Sequence, residues 1–92
     1  MIRSFKCPDA QAVFSGKRVK RFVNIERVLT RKLQMLDDAV ELSDLASPPA
    51  NRLEALKGDR KNQYSIRIND QWRICFVWTK SGPEQLEIVD YH

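Results

Sequence analysis

Histidine occurs once in these 92 residues, cysteine twice and glycine three times, and each scarcity removes a class of function. Cys7 and Cys75 stand far apart with no clustered His, so neither a zinc site nor a disulfide scaffold is indicated; both read as reduced, buried small hydrophobes. Three glycines and four prolines are too few for a flexible or collagen-like polymer. There is no Gly-rich phosphate loop, no His-Glu-x-x-His and no Ser/His/Asp ordering, which leaves nucleotide hydrolysis, metalloproteolysis and triad chemistry without support; no cofactor or metal is expected. No apolar run approaches the ~18 residues a spanning helix needs, and Met1 to Lys6 lacks the long apolar stretch of a secretion signal, so a cytoplasmic protein with no membrane partner is expected.

Hydrophobic residues make up 42% and charged residues 30% of the chain, ordinary values for one globular unit, and a single domain over 1–92 is expected. The net charge of +4 favours a polyanion partner without specifying one. Its densest source is the connector Lys17, Arg18, Lys20, Arg21, either a solvated linker or a surface that touches phosphates.

Ile2-Arg3-Ser4-Phe5 alternates like a short strand, and Pro8-Asp9 opens a helix with Ala10, Val13 and Phe14 at helical spacing, ended by Gly16. Asn24 suits the cap of a longer helix in which Ile25, Val28, Leu29, Leu33, Leu36 and Val40 form one stripe. Glu26, Arg27, Arg31, Lys32, Gln34 and Asp37 then face outward, and Leu42 and Leu45 extend the helix briefly before Pro48-Pro49 stop it. Beyond the prolines the period becomes two. Tyr64, Ile66 and Ile68, then Trp72, Ile74, Phe76 and Trp78, and finally Glu84 to Tyr91 read as strands joined by turns at Asn69-Asp70 and Ser81-Gly82-Pro83. Helices first and strands afterwards predict an α+β fold, two N-terminal helices packed on one face of a small, mainly antiparallel sheet.

Pairing Ile68 with Trp72 sets Ile66 opposite Ile74 and Tyr64 opposite Phe76, an apolar face for the helices. The reverse face then carries Ser65 opposite Cys75 and Arg67 opposite Arg73. Two adjacent arginines repel, so the pair points to a bound anion or to neutralising acids, and removing one should cost the fold little. Pairing Thr79 with Glu84 across the next turn puts Val77 opposite Leu86, Cys75 opposite Ile88, and Asp90 opposite Arg73 as its partner; a one-residue slip would undo this. Lys57 beside a glycine turn and the terminal His92 complete the chemical inventory.

Leu56-Lys57-Gly58-Asp59-Arg60, Tyr64-Ser65-Ile66, Asn69-Asp70-Gln71-Trp72-Arg73-Ile74 and the closing Asp90-Tyr91-His92 resemble the HigB toxins of bacterial toxin-antitoxin pairs, in the RelE/ParE superfamily. The resemblance covers nearly the whole chain. It implies a RelE-like fold and a metal-independent, ribosome-dependent endoribonuclease that cuts messenger RNA in the decoding site. It also implies a helix-turn-helix, HigA-like antitoxin partner, with operator DNA reached only through the antitoxin complex. On this reading the ribose 2′-hydroxyl attacks the adjacent phosphorus, with Arg73 and Lys57 stabilising charge, His92 moving a proton, Tyr91 stacking on a base or bonding the phosphate, and Asp90 orienting His92 or taking a proton. Lys17, Arg18, Lys20, Arg21, Arg60 and Arg67 would contact RNA. Some relatives carry His where this chain has Glu54; a carboxylate there can still accept the hydroxyl proton but repels phosphate. Two other readings stay open: a ParE-like toxin that poisons gyrase without catalysis, and a plain RNA- or protein-binding module.

Overall fold

A computed structural model describes residues 1–90; the expectations placed on Tyr91 and His92 lie outside them. Helix α1 spans Pro8–Phe14, starting on a proline that has no amide hydrogen to leave unpaired, with Asp9 in its first turn. Gly16 ends it at φ 90°, as expected. Helix α2 runs Glu26–Asp38 and buries Leu29, Leu33 and Leu36.

Four expectations for α2 fail, the first three for local reasons. Asn24 does not cap it: Ile25 holds the N-cap position, its amide bonded to the Phe22 carbonyl of a 3-10 turn over Lys20–Phe22. Val40, 84% exposed, leaves the stripe because the chain turns extended at Ala39. Leu42 and Leu45 belong to a separate 3-10 turn, Leu42–Ala46, opened by Asp44, whose carboxylate accepts the Val40 and Glu41 amides at 3.0 Å each. Those bonds, Glu41's first, hold the Asp44 pKa down. Lys32, expected on the outer face, is buried against Asn51 of a further 3-10 turn, Pro49–Asn51.

The sheet is a meander in chain order: β1 Glu54–Ala55, β2 Tyr64–Arg67, β3 Trp72–Thr79 and β4 Gly82–Asp90, all antiparallel. The β2–β3 register is the expected one, with Tyr64 opposite Phe76, Ser65 opposite Cys75, Ile66 opposite Ile74 and Arg67 opposite Arg73. The β3–β4 register is not. A tighter turn at Lys80-Ser81 pairs Thr79 with Gly82, and a bulge near Gln85 (φ 55°) recovers only part of the offset. Asp90 therefore lies opposite Trp72, Arg73 opposite Val89 and Cys75 opposite Glu87, overturning the expected Arg73–Asp90 pair. Leu86 and Ile88, expected across from Val77 and Cys75, turn into the core instead.

The expected Ile2–Phe5 strand shrinks to one parallel bridge between Phe5 and Leu86, flanked by Arg3 N–H to the Pro83 carbonyl at 2.8 Å and Lys6 N–H to the Leu86 carbonyl at 2.9 Å. The bulge interrupts the ladder there: the Gln85 amide donates to the Ser4 hydroxyl at 2.8 Å. This segment also explains Gly82, at φ 125°, where a Cβ would collide with the Met1 carbonyl oxygen.

The core lies between the helices and one sheet face. Phe22, Leu29, Leu33, Leu36, Ile66, Ile74, Phe76 and Leu86 are all fully buried there. Phe22 meets Trp72 edge-on at 5.3 Å between ring centres. Among the described residues no helix is long and apolar enough to cross a membrane.

Candidate active site on the uncovered sheet face

Side chains alternate along a strand, so the residues between those core positions stand on the other face. One row across all four strands is Glu54, Ser65, Cys75, Glu87; the next contains Arg67, Arg73 and Val89. Arg73 is only 8% exposed despite its charge. Its Nε donates to the Ser65 hydroxyl at 2.8 Å and its Nη2 to the Arg52 carbonyl at 2.7 Å, with the Glu54 carboxylate 3.8 Å away. Arg52 closes the Pro49–Asn51 turn in the left-handed region, φ 47° and ψ 55°. Among the described residues the guanidinium is thus held by Ser65, the Arg52 carbonyl and Glu54.

The Arg67–Arg73 juxtaposition resolves into acids on each side: Arg67 pairs with Asp70 three residues on, and Arg73 leans towards Glu54. The expectation that losing Arg73 merely relieves repulsion is therefore wrong, because Ser65 and the Arg52 carbonyl would lose a buried donor.

Farther along the face Arg60 clasps β4. Its Nη1 donates to Glu87 at 2.9 Å and to Gln63 at 3.2 Å, and Lys6 stands 3.8 Å from the same Glu87 carboxylate. Cys75 lies buried nearby, its pKa raised by desolvation and by Glu87 against the opposing pull of Arg60 and Arg73, which keeps it a thiol. Cys75 and Cys7 are both free thiols; Cys75 is buried as expected, whereas Cys7 is only half-buried. Lys57 is exposed at the start of the Gly58–Arg60 turn, three residues beyond Glu54. Among the described residues no group of three or more His, Cys, Asp or Glu is placed to hold a metal.

Asp90 shares the sheet end with Arg73 but projects to the opposite face, and the Gln71 side chain donates to it at 3.2 Å. Of the connector, Lys17, Arg18 and Lys20 are exposed, Arg18 lying 3.4 Å from Glu26. Arg21 pairs with Asp9 at 3.7 Å and stacks over Phe22 and Trp72, 4.6 and 5.7 Å from their centres. Through Trp72, the strand partner of Asp90, the connector reaches the same end of the sheet. An open depression of about 460 Å³ lies apart from the Arg73 cluster, lined by Arg18, Val23, Glu26, Arg27 and Thr30. Sequence reasoning missed Ser65 and the Arg52 carbonyl as the groups that aim Arg73. Alternation placed Ser65 on this face, whereas nothing local announces a main-chain acceptor twenty-one residues away.

Residues 12–92 match the HigB-like toxins, described as RelE-like toxin of the type II toxin-antitoxin system HigB. This chain belongs to the HigB-like toxin family. Toxin HigB-1 of Vibrio cholerae is 51% identical over 55 residues, 60% of this HigB-like chain and 58% of that protein. An uncharacterized protein of Haemophilus influenzae is 45% identical over 63 residues, 68% of this chain and 62% of its own length. These two alignments thus span about six-tenths of each relative. Endoribonuclease HigB of Proteus vulgaris aligns over the full length of both chains at 34% identity. The fold is also that of a chain in the YoeB-YefM toxin-antitoxin complex from Staphylococcus aureus, with a TM-score of 0.62 and 18% identity over 100% of this chain and 98% of that one.

Proposed function

We propose that this HigB-like chain is the toxin of a toxin-antitoxin pair and arrests translation by cutting messenger RNA on the ribosome. The carrying observation is Arg73, a nearly buried cation preorganised by Ser65 and the Arg52 carbonyl on a face that α1 and α2 leave uncovered. A preset positive charge in a partly desolvated site stabilises the phosphorane-like transition state of 2′-hydroxyl attack with little reorganisation. Lys57 adds a compact charge, and Glu54, beside Arg73, accepts the 2′-hydroxyl proton. His92 gives a proton to the departing 5′ oxygen, leaving a 2′,3′-cyclic phosphate and a 5′-hydroxyl. Asp90 orients His92 or takes a proton, and Tyr91 stacks on a base or bonds the phosphate.

Lys17, Arg18, Lys20, Arg21, Arg60 and Arg67 serve RNA attraction, in part through pairs that must open. So few groups leave substrate positioning to the ribosome. The family match and the Proteus relative support this reading, as does the toxin-antitoxin context of the structural neighbour for a neutralising partner. That partner is a helix-turn-helix, HigA-like antitoxin, and the toxin meets operator DNA only in its complex. The whole 1–92 chain acts as one cytoplasmic unit.

Mapping RNA ends after expression tests the reading. Purified protein should yield 5′-hydroxyl ends on ribosome-bound message and leave naked RNA nearly intact; growth arrest with intact message would overturn the proposal. Deleting His92 should slow single-turnover cleavage by roughly 10²-fold or more with ribosome binding retained. A parental rate in that variant would remove His92 from the mechanism.

A further inference from the structure

Lys32 is 6% exposed and Asn51 fully buried, yet neither sits on the uncovered sheet face. The Lys32 ammonium, on α2, donates to the Asn51 side-chain oxygen. The Asn51 amide in turn donates to the Leu45 carbonyl at 3.1 Å and the Ser47 carbonyl at 3.4 Å. Between Leu45 and Leu53 every residue is exposed except Asn51, so this side chain is the one buried tether of the segment. The next residue, left-handed Arg52, presents its carbonyl to Arg73, and Glu54 follows two residues later.

We infer that Lys32 and Asn51 are positioning residues that hold the 45–52 segment so that the Arg52 carbonyl orients the Arg73 guanidinium. The inference rests on the proposed role of Arg73 in phosphate binding. Among the described residues no carboxylate pairs with Lys32, and burial, helped by Arg31, pushes its pKa down. Burying an ammonium on one neutral acceptor carries a desolvation cost that a methionine of similar length would avoid. What the amine supplies instead is direction: its hydrogen bond selects one placement of Asn51, whose amide also reaches the Met35 sulfur of α2 at 3.8 Å and whose bonds to the Leu45 and Ser47 carbonyls select one path for the segment. Apolar contact would permit several.

The test compares parental protein with Lys32→Met in three measurements: chemical unfolding, the ¹⁵N–¹H signal of the Arg73 Nε assigned through Arg73→Lys, and single-turnover cleavage of ribosome-bound message. Expected are an unfolding midpoint near the parental one, since the stranded Asn51 oxygen offsets the relief of burying the ammonium, a displaced Arg73 signal, and a maximal rate lower on the order of tenfold or more at an unchanged half-saturating concentration, since misplacements near 1 Å cost on that scale. A purely structural role would not split rate from binding in this way. A displaced signal with a parental rate supports the positioning and removes Arg73 from the rate-limiting chemistry. A parental signal overturns the inference whatever the rate. If Lys32→Met does not fold, Asn51→Asp serves: it keeps the link to Lys32, as an ion pair, and removes the donors to Leu45 and Ser47. The Arg73 signal must then move, and an unmoved signal overturns the inference equally.

Discussion

The two faces of the sheet are made by the same strands yet are held by different physics. On the covered face Ile66, Ile74, Phe76, Leu86 and Ile88 meet α1 and α2, and their stability is the non-directional gain of removing apolar surface from water. On the uncovered face Ser65, Arg73 and Cys75 are also buried, but Ser65 and Arg73 are fixed by directed bonds of about 3 Å. A core of the first kind tolerates small shifts. A site of the second kind holds a charge at one place and costs free energy whenever a partner is missing.

The contrast is broken most violently from the covered side. Phe76→Ala should cost about 3–5 kcal/mol in urea unfolding, enough to unfold a large fraction of so small a domain. A loss below about 1 kcal/mol would mean that this face is not the core. On the other side Arg73→Leu should cost less, about 1–3 kcal/mol, through the stranded Ser65 hydroxyl and Arg52 carbonyl. Its cleavage should nevertheless fall on the order of 10²-fold or more. Arg73→Lys should recover part of that rate, since a point charge cannot reproduce the fork. If Arg73→Leu cuts normally, the two faces differ only in how they are packed.

Smaller effects sharpen the same comparison. Glu54 is more than half exposed, so its contact with Arg73 contributes under about 1 kcal/mol and Glu54→Gln should leave the unfolding midpoint nearly unchanged. The variant should cut at least about tenfold more slowly at neutral pH because it cannot accept the 2′-hydroxyl proton. Faster cutting would show instead that repulsion between Glu54 and phosphate dominates.

The smallest effect concerns Lys32, whose folded pKa lies below that of the unfolded chain. Between those two values the fold binds fewer protons than the unfolded state, so this group makes stability rise with pH. Parental protein should gain on Lys32→Met as the pH climbs from 7 towards 10, measured as the difference in unfolding free energy. A constant difference would place the ammonium in water after all.

The same contrast separates what was legible from what was not. Period-two alternation gave the apolar face, the Arg67–Arg73 and Ser65–Cys75 pairs and the β2–β3 register, because that register follows from a short turn and one buried face. It failed across β3–β4. The identity of the turn there depends on Gly82 lying under Met1, and the bulge on Ser4 taking up the Gln85 amide. Both partners are some eighty residues away in the chain, beyond the reach of local pattern. One register step was enough to carry Asp90 away from Arg73.

The sequence by itself determined the α+β order, the Gly16 stop of α1, the buried stripe of α2 up to Leu36, and the residue types that populate the candidate site. These depend on periodicity and backbone sterics, which act over a few residues. Tertiary structure alone decided that Lys32 turns inward to Asn51, that Arg52 offers its carbonyl to Arg73, and that Asp90 stands beside Trp72. A polar side chain takes its place from the partner that satisfies it, and here each partner comes from a distant stretch of the chain.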